Sequence, residues 1–176
     1  MTKHPKLIWG VIAFVIVAGY AFYLTLPSDP TPANERIVWK SFDEGVILAK
    51  QTNKKVLVDV FTDWCTWCKK MDSDVYSRER VAQLVNSHFV AVKLNPEISK
   101  SVSFKGRTIT NSEFAVTLGA TGYPTTVFFD QDANPITNLA GYVESDRFSR
   151  VLEFIGKDHY KSESFDQFLA RTPKEF

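Results

Sequence analysis

The sequence contains little cysteine: two residues among 176, Cys65 and Cys68. This scarcity excludes a small scaffold held by several disulfides, and it excludes a four-cysteine zinc site. An excess of one charge is also missing, because 21 basic and 20 acidic residues leave a formal net charge of +1. Without a basic patch, no nucleic-acid partner is expected.

Apolar residues, in contrast, are plentiful. Hydrophobic residues make up 44% of the chain, and 14 of them are phenylalanines. This is enough to bury one good core. We therefore expect one globular domain, residues 37–176, preceded by an N-terminal appendage.

The appendage begins with an uncharged apolar run at residues 7–26. As a helix rising about 1.5 Å per residue, it would cover about 30 Å, the hydrocarbon thickness of a bilayer. Lys3 and Lys6 precede the run, which predicts that residues 1–6 stay in the cytoplasm. The sequence therefore predicts a single-pass membrane protein whose domain lies in the periplasm or an equivalent space.

Cleavage of a signal peptide is the alternative, because residues 19–21 form a small-x-small site. The protein would then be secreted. In either case the domain faces an oxidising compartment, where two adjacent cysteines favour redox work over structural stapling. Residues 27–36 are proline-rich and polar, which predicts an extended spacer between the apolar run and the domain.

The first half of the domain is typical of a β-α-β unit. Ser41 and Glu44 match a capping box and predict a helix that ends near Asn53. Residues 56–61 are apolar on both faces except for Asp59, as in a central strand covered by helices. Residues 89–94 predict a second strand, parallel to the first.

Between these strands we expect two helical pieces. The first follows the cysteines to about Asp72 and is broken at residues 73–74, and Ser77 would cap the second through Val85. The second half predicts a mixed sheet, because residues 125–129 and 136–139 are strands joined by a turn. The remaining predicted elements are a hairpin at 101–110 about Lys105-Gly106, a helix that follows the capping box of Thr110 and Glu113 and is ended by Gly119, a helix capped by Ser145 that runs through Ile155, and a helix near 165–170.

Cys65 and Cys68 are placed to form and reopen a small disulfide. They follow the central strand at the start of a helix, where free N–H groups and the helix dipole favour thiolate over thiol. We expect Cys65 to be the accessible nucleophile and Cys68, one turn further in, the shielded resolving thiol. Trp64 and Trp67 flank the pair as an apolar platform for substrate cysteines.

A metal site is the competing interpretation of two cysteines at this spacing. It would need two further ligands, and His4, His88 and His159 have no ligand spacing to the pair. We therefore expect no metal and no cofactor other than the redox-active disulfide.

The chain resembles the thioredoxin superfamily over about residues 41–155. The resemblance rests on residues 58–69 (VDVFTDWCTWCK), on Lys93 and on residues 122–125 (GYPT). The extended motif Trp-Cys-x-x-Cys-Lys-x-Met-Asp, and a long helix expected to start at Trp39, are most similar to membrane-anchored thioredoxin-like proteins, including the C-terminal domain of transmembrane thiol:disulfide interchange reductases. The resemblance implies a three-layer α/β fold with a mixed central sheet between helices.

The resemblance also implies roles for four further residues. Pro124 would be a cis-proline that faces the disulfide, and Tyr123 would offer backbone hydrogen bonds to a substrate strand. Asp59 would be the buried carboxylate beneath the disulfide, which exchanges a proton with Cys68, and burial would raise its pKa toward neutrality. Lys93 would pair with that carboxylate.

Two departures from thioredoxin leave questions open. Thr66-Trp67 stands between the cysteines where thioredoxin has Gly-Pro, and this dipeptide helps to set the redox potential. The stretch between Lys93 and Pro124 is longer than in small thioredoxins, and its 101–110 segment either shapes partner choice or is a tolerated surface insertion.

These observations predict a thiol:disulfide oxidoreductase that acts on protein cysteines, and the resemblance alone implies that it acts as a reductase. It would draw electrons from a membrane partner, because no flavin or nicotinamide fingerprint is present. An oxidase or isomerase is the closest alternative. A thioredoxin-fold binding module, including one that delivers copper through its thiols, is the alternative from another class.

Overall fold

The computed structural model describes residues 36–172, which belong to one compact unit. The predicted anchor at 7–26 and almost all of the spacer lie outside the described residues. Within the described stretch, no helix has the length and apolar character needed to cross a bilayer.

A mixed four-stranded sheet forms the centre of the domain, in the order β2-β1-β5-β6. Strands β1 and β2 are parallel and strands β5 and β6 are antiparallel, as predicted. Strand β5 also pairs with β1 in the antiparallel direction. A two-stranded hairpin, β3-β4, stands apart. The strands are β1 (Lys55–Val60), β2 (Phe89–Leu94), β3 (Ser101–Phe104), β4 (Arg107–Thr110), β5 (Thr125–Phe129) and β6 (Pro135–Ala140).

Helices cover both faces of the sheet, which confirms the predicted α/β architecture. They are α1 (Phe42–Thr52), α2 (Thr66–Met71), α3 (Glu79–His88), α4 (Asn111–Thr117), α5 (Ser145–Gly156) and α6 (Phe165–Arg171), with a π-helical turn at Asp72–Tyr76 and a 3₁₀ turn at His159–Lys161. Leu57 faces a hydrophobic cluster with α2, the π-helical turn, α3 and α5. Its neighbours Val56 and Val58 face a second cluster with α1, α4 and the hairpin. This alternation along β1 separates the two cores.

Local signals account for several of these elements. The capping boxes at Ser41 and Thr110 are both formed. Lys105 and Gly106 both have positive φ, the conformation of a tight type I′ hairpin turn. Gly45 lets α1 approach β2, because a Cβ there would lie 2.4 Å from a methyl carbon of Val92.

Predicted boundaries were wrong at three places. No break occurs at 73–74. The chain continues through the π-helical turn there, because Val75 and Tyr76 are buried in the first cluster. Ser77 does not cap α3, since its hydroxyl donates to a carbonyl of the preceding turn. Glu144 rather than Ser145 precedes α5 as its N-cap. Trp39 does not begin a helix, because Lys40 forms a parallel bridge with Val92 and α1 starts afterwards.

The segment 95–111 packs as part of the core. Val102 and Phe104 of the hairpin are buried in the second cluster, where Phe104 lies 5.0 Å from Phe114 between ring centroids. Asn111 donates a side-chain hydrogen bond to the Asn95 carbonyl and closes the segment. The described hairpin therefore contributes to folding, whatever part it takes in partner choice.

Candidate active site

Cys65 and Cys68 form a disulfide at the start of α2. Cys65 is the N-cap residue, and its sulfur accepts a hydrogen bond from the Cys68 backbone N–H at 3.0 Å. The Cys65 N–H in turn donates to the Thr62 carbonyl at 3.2 Å. The helix N-terminus predicted from the sequence therefore acts directly on the Cys65 sulfur.

In the oxidised form the two cysteines differ little in exposure. Cys65 is 4% exposed and Cys68 is 2% exposed. The expected contrast between an accessible and a shielded thiol is thus small here, because the disulfide holds both sulfurs against the domain. Trp64 and Trp67, at 65% and 56%, carry the exposed surface beside them.

Asp59 lies on the face of the sheet that α2 covers. It follows Leu57 by two residues on β1, so both side chains point to the same side, and Met71 of α2 packs in the cluster around Leu57. Asp59 is 1% exposed, and its Oδ1 atom has no hydrogen-bond partner in the described chain. Burial raises the pKa of the Asp59 carboxyl, and the charge of Lys93 opposes that shift.

Lys93 bridges two carboxylates. It is the register partner of Asp59 on β2, and its Nζ atom lies 2.6 Å from Asp59 Oδ2 and 2.6 Å from Asp72 Oδ1. The ammonium is also 4.7 to 5.3 Å from the ring centroids of three aromatic residues, Trp39, Phe61 and Tyr76. Since Asp72 is half-exposed, this ion network runs from the buried carboxylate to solvent.

The Tyr123-Pro124 peptide bond is cis, the isomer that the resemblance implied. Its loop adjoins the cysteine loop, because the Tyr123 and Trp64 rings are 6.1 Å apart between centroids. Thr126, two residues after Pro124, is the register partner of Asp59 on β5. The structure therefore places the cis-proline loop beside the cysteine loop, and it pairs Asp59 with both Lys93 and Thr126 across the sheet.

Sequence reasoning gave no role to three residues that complete this region. Asp72, the last residue of the extended cysteine motif, is the second partner of Lys93. Glu97 accepts a hydrogen bond from the Trp64 indole N–H at 2.9 Å. Tyr142 lies 5.5 Å from Trp67 between ring centroids. Only the motif position of Asp72 offered a signal, since the other two contacts join distant parts of the chain.

Comparison with known proteins identifies the family of this chain. A family described as thioredoxin-like domain matches residues 42–156. The thiol:disulfide interchange protein DsbD of Pasteurella multocida is 24% identical over 156 residues, which cover 83% of this chain and 25% of that protein. The chain thus spans about a quarter of that relative's length.

Two solved structures have the same fold. A thioredoxin-fold protein from Helicobacter pylori has a TM-score of 0.60 and 26% identity, with 68% of this chain and 80% of that chain covered. A putative disulphide-isomerase from Bacteroides thetaiotaomicron has a TM-score of 0.56 and 26% identity, with 73% and 96% covered. The chain belongs to the thioredoxin-like family, and this membership together with the Cys65–Cys68 disulfide supports a protein-disulfide oxidoreductase.

Proposed function

We propose that this protein reduces disulfide bonds of other proteins outside the cytoplasm. The observation that carries the proposal is the Cys65–Cys68 disulfide at a helix N-terminus, with the Cys68 N–H bonded to the Cys65 sulfur. In the reduced protein the same N–H group stabilises a Cys65 thiolate, and the thiolate is the attacking form of cysteine.

The reaction has two exchange steps. The Cys65 thiolate attacks a substrate disulfide, forms a mixed disulfide and releases one substrate thiolate, which takes up a proton. Cys68 then loses its proton, attacks the Cys65 sulfur and releases the second substrate thiolate. Two electrons pass from the dithiol to the substrate, and the Cys65–Cys68 disulfide is left.

Asp59 is the proposed proton acceptor for Cys68. Its unbonded Oδ1 atom is buried on the side of the sheet beneath α2, and a carboxyl with a raised pKa is suited to exchange protons near neutral pH. Lys93 and Asp72 connect this carboxyl to the surface. Tyr123 and Pro124 present the substrate strand, and Trp64 covers the approach to Cys65.

The resemblance of residues 64–72 to the cysteine motif of transmembrane thiol:disulfide interchange reductases supports the direction of electron flow. A disulfide is strongly oxidising when its reduced form holds a highly stabilised thiolate. The reduction potential of the Cys65–Cys68 disulfide therefore decides between a reductase and an oxidase.

The proposed setting comes from the N-terminus. Residues 7–26 would anchor the chain in the cytoplasmic membrane, with the domain in the periplasm or an equivalent space. Reduction of a client protein leaves the Cys65–Cys68 disulfide oxidised. A membrane protein that carries a dithiol would supply the electrons that reduce this disulfide again. The redox-active disulfide would be the only cofactor of the domain.

Equilibration of the full-length chain with glutathione buffers tests the direction. We expect a reduction potential below about −200 mV, within the range of reducing thioredoxin-fold proteins, whereas oxidases lie near about −120 mV. The thiol content at each buffer ratio would be read by alkylation and mass spectrometry. The variant with serine at both cysteine positions is the control, and a potential near the oxidase value would contradict the reductase assignment.

A further inference from the structure

Trp67 and Tyr142 form an aromatic pair beside the disulfide that the exchange reaction itself does not require. Their ring centroids are 5.5 Å apart at an angle of 44°. Trp67 directly precedes Cys68 and is 56% exposed. Contiguous apolar surface that stays exposed often marks a site of interaction with a partner.

The indole of Trp67 is also left open to a ligand. Trp64 already donates its indole N–H to Glu97, but the Trp67 indole forms no hydrogen bond with any residue in the described stretch. Buried or covered indole N–H groups usually have an acceptor. Trp67 therefore presents both an apolar face and an unused donor next to the reacting sulfurs.

The backbone holds Tyr142 beside the substrate loop. Gly141, with φ of +82°, donates its N–H to the Pro124 carbonyl at 2.8 Å, so the loop that carries Tyr142 is tied to the cis-proline loop. Lys70, which is on α2 like Trp67, lies 5.6 Å from the centre of the Tyr142 ring. The ring is thus fixed between the helix that carries the cysteines and the loop that presents the substrate.

We propose that Trp67 and Tyr142 select protein substrates with an aromatic side chain next to the reactive cysteine. This inference rests on the proposed function, because a substrate sulfur must reach Cys65 while its flanking residues lie against these rings. An aromatic side chain of the substrate would bury apolar area against these two rings and would also form favourable ring-ring contacts. An aliphatic side chain of similar size gains only the area.

Three peptide substrates test the selection with the reduced full-length protein. Each peptide carries one cysteine as its mixed disulfide with 2-mercaptoethanol, and the two residues that flank the cysteine are Phe, Leu or Ala. Attack by Cys65 and resolution by Cys68 release the peptide thiol and 2-mercaptoethanol while the protein is oxidised. We expect the second-order rate constant for oxidation of the protein by the Phe peptide to exceed that for the Ala peptide roughly tenfold, with the Leu peptide in between.

The Phe/Ala rate ratio of variant proteins, measured in the same assay, shows which residues select the substrate. Tyr142→Ala and Trp67→Ala should each bring the Phe/Ala ratio close to one, and Tyr142→Phe should keep it. The ratio is taken within each variant, so a changed redox potential cancels. Tyr160→Ala is the matched control, because Tyr160 also has a lysine near its ring but lies in the C-terminal part; its ratio should equal that of the wild type.

Three results would overturn the inference. Equal rates on the Phe and Ala peptides, equal rates on the Phe and Leu peptides, or a Phe/Ala ratio that survives both alanine variants would each exclude aromatic selection by this pair while leaving the reductase intact. A wild-type protein that reduces none of the peptides, and no protein disulfide either, would overturn the proposed function together with this inference.

Discussion

Replacement of Cys65 by serine should lower the rate of disulfide reduction about a thousandfold or more, because it removes the attacking sulfur. Replacement of Cys68 by serine should have a different result. The first exchange still occurs, but no thiolate resolves it, so the protein accumulates as a mixed disulfide with its substrate. The rate at which the reduced protein reduces a protein disulfide in a single turnover measures the first outcome, and intact mass spectrometry measures the second.

The two cysteine variants serve as controls for each other. Both lose the intramolecular disulfide, so any effect of lost cross-linking is common to them. Only the Cys68→Ser protein should carry a covalent adduct, located on Cys65. An adduct that forms equally fast on Cys68 in the Cys65→Ser protein would contradict the assigned roles, and the identity of trapped cellular proteins would show the natural substrates.

Replacement of Asp59 by asparagine should slow the resolving step about a hundredfold, the usual contribution of a positioned proton acceptor. In the wild type this step should accelerate as the pH rises through the raised pKa of Asp59. The variant should lose that acceleration. Rapid mixing of the reduced protein with a peptide disulfide, followed by acid quench across pH 4 to 8, resolves the decay of the mixed disulfide.

Asp63→Asn is the matched control for this prediction. Asp63 lies two residues before Cys65, is exposed, and is hydrogen-bonded by the Asn95 amide at 3.3 Å. Its replacement removes a nearby negative charge without touching the buried carboxyl. If both variants slow the resolving step equally, the effect is one of general charge, and Asp59 is not the proton acceptor.

A stability measurement distinguishes loss of the proton acceptor from structural damage in the Asp59→Asn protein. The unfolded-state pKa of an aspartate is about 3.9, and burial raises the folded-state pKa of Asp59 above its ordinary value. The folded protein therefore holds this proton more tightly, and the resulting stability is complete below the unfolded-state pKa and is lost as the pH rises through the folded-state pKa. At neutral pH the buried Asp59 carboxyl thus lowers the free energy of unfolding of the wild type, and Asp59→Asn removes this loss.

We therefore expect the oxidised Asp59→Asn protein to have a higher free energy of unfolding than the wild type at neutral pH, with the difference shrinking toward about pH 4. Lys93 keeps a charged partner in the variant, since Asp72 lies 2.6 Å from its Nζ atom. Urea titrations at several pH values measure the difference. A variant that is less stable than the wild type at neutral pH would show that the Asp59–Lys93 pair is a net stabilising contact.

The sequence predicted those parts of the fold that depend on neighbours along the chain. The capping boxes at Ser41 and Thr110 and the turn at Lys105-Gly106 carry short-range signals, and each is formed. The break at 73–74 was wrong because its polar residues lie on the exposed side of a helical turn whose other residues, Val75 and Tyr76, are buried. Burial by distant strands overrode the local preference.

The candidate site likewise contains residues that the sequence predicts and contacts that it does not predict. Cys65 and Cys68 were identified by their spacing after a buried strand, and Asp59 by a lone charge within it. The contacts of Lys93 with Asp72 and of Trp67 with Tyr142 join different elements, and no periodicity or spacing encodes such pairings. They required the folded arrangement of α2 against β2 and against the loop after β6.

The proposed mechanism requires that the Cys65 sulfur attack the substrate disulfide and that the Cys68 sulfur react only in the second step. Alkylation of the reduced full-length chain with iodoacetamide near neutral pH, with the rate at each cysteine read by peptide mass spectrometry, tests it most directly. We expect Cys65 to react at least about tenfold faster than Cys68, because only its sulfur caps the helix and accepts the backbone N–H. Equal rates at the two cysteines, or faster reaction at Cys68, would contradict the account.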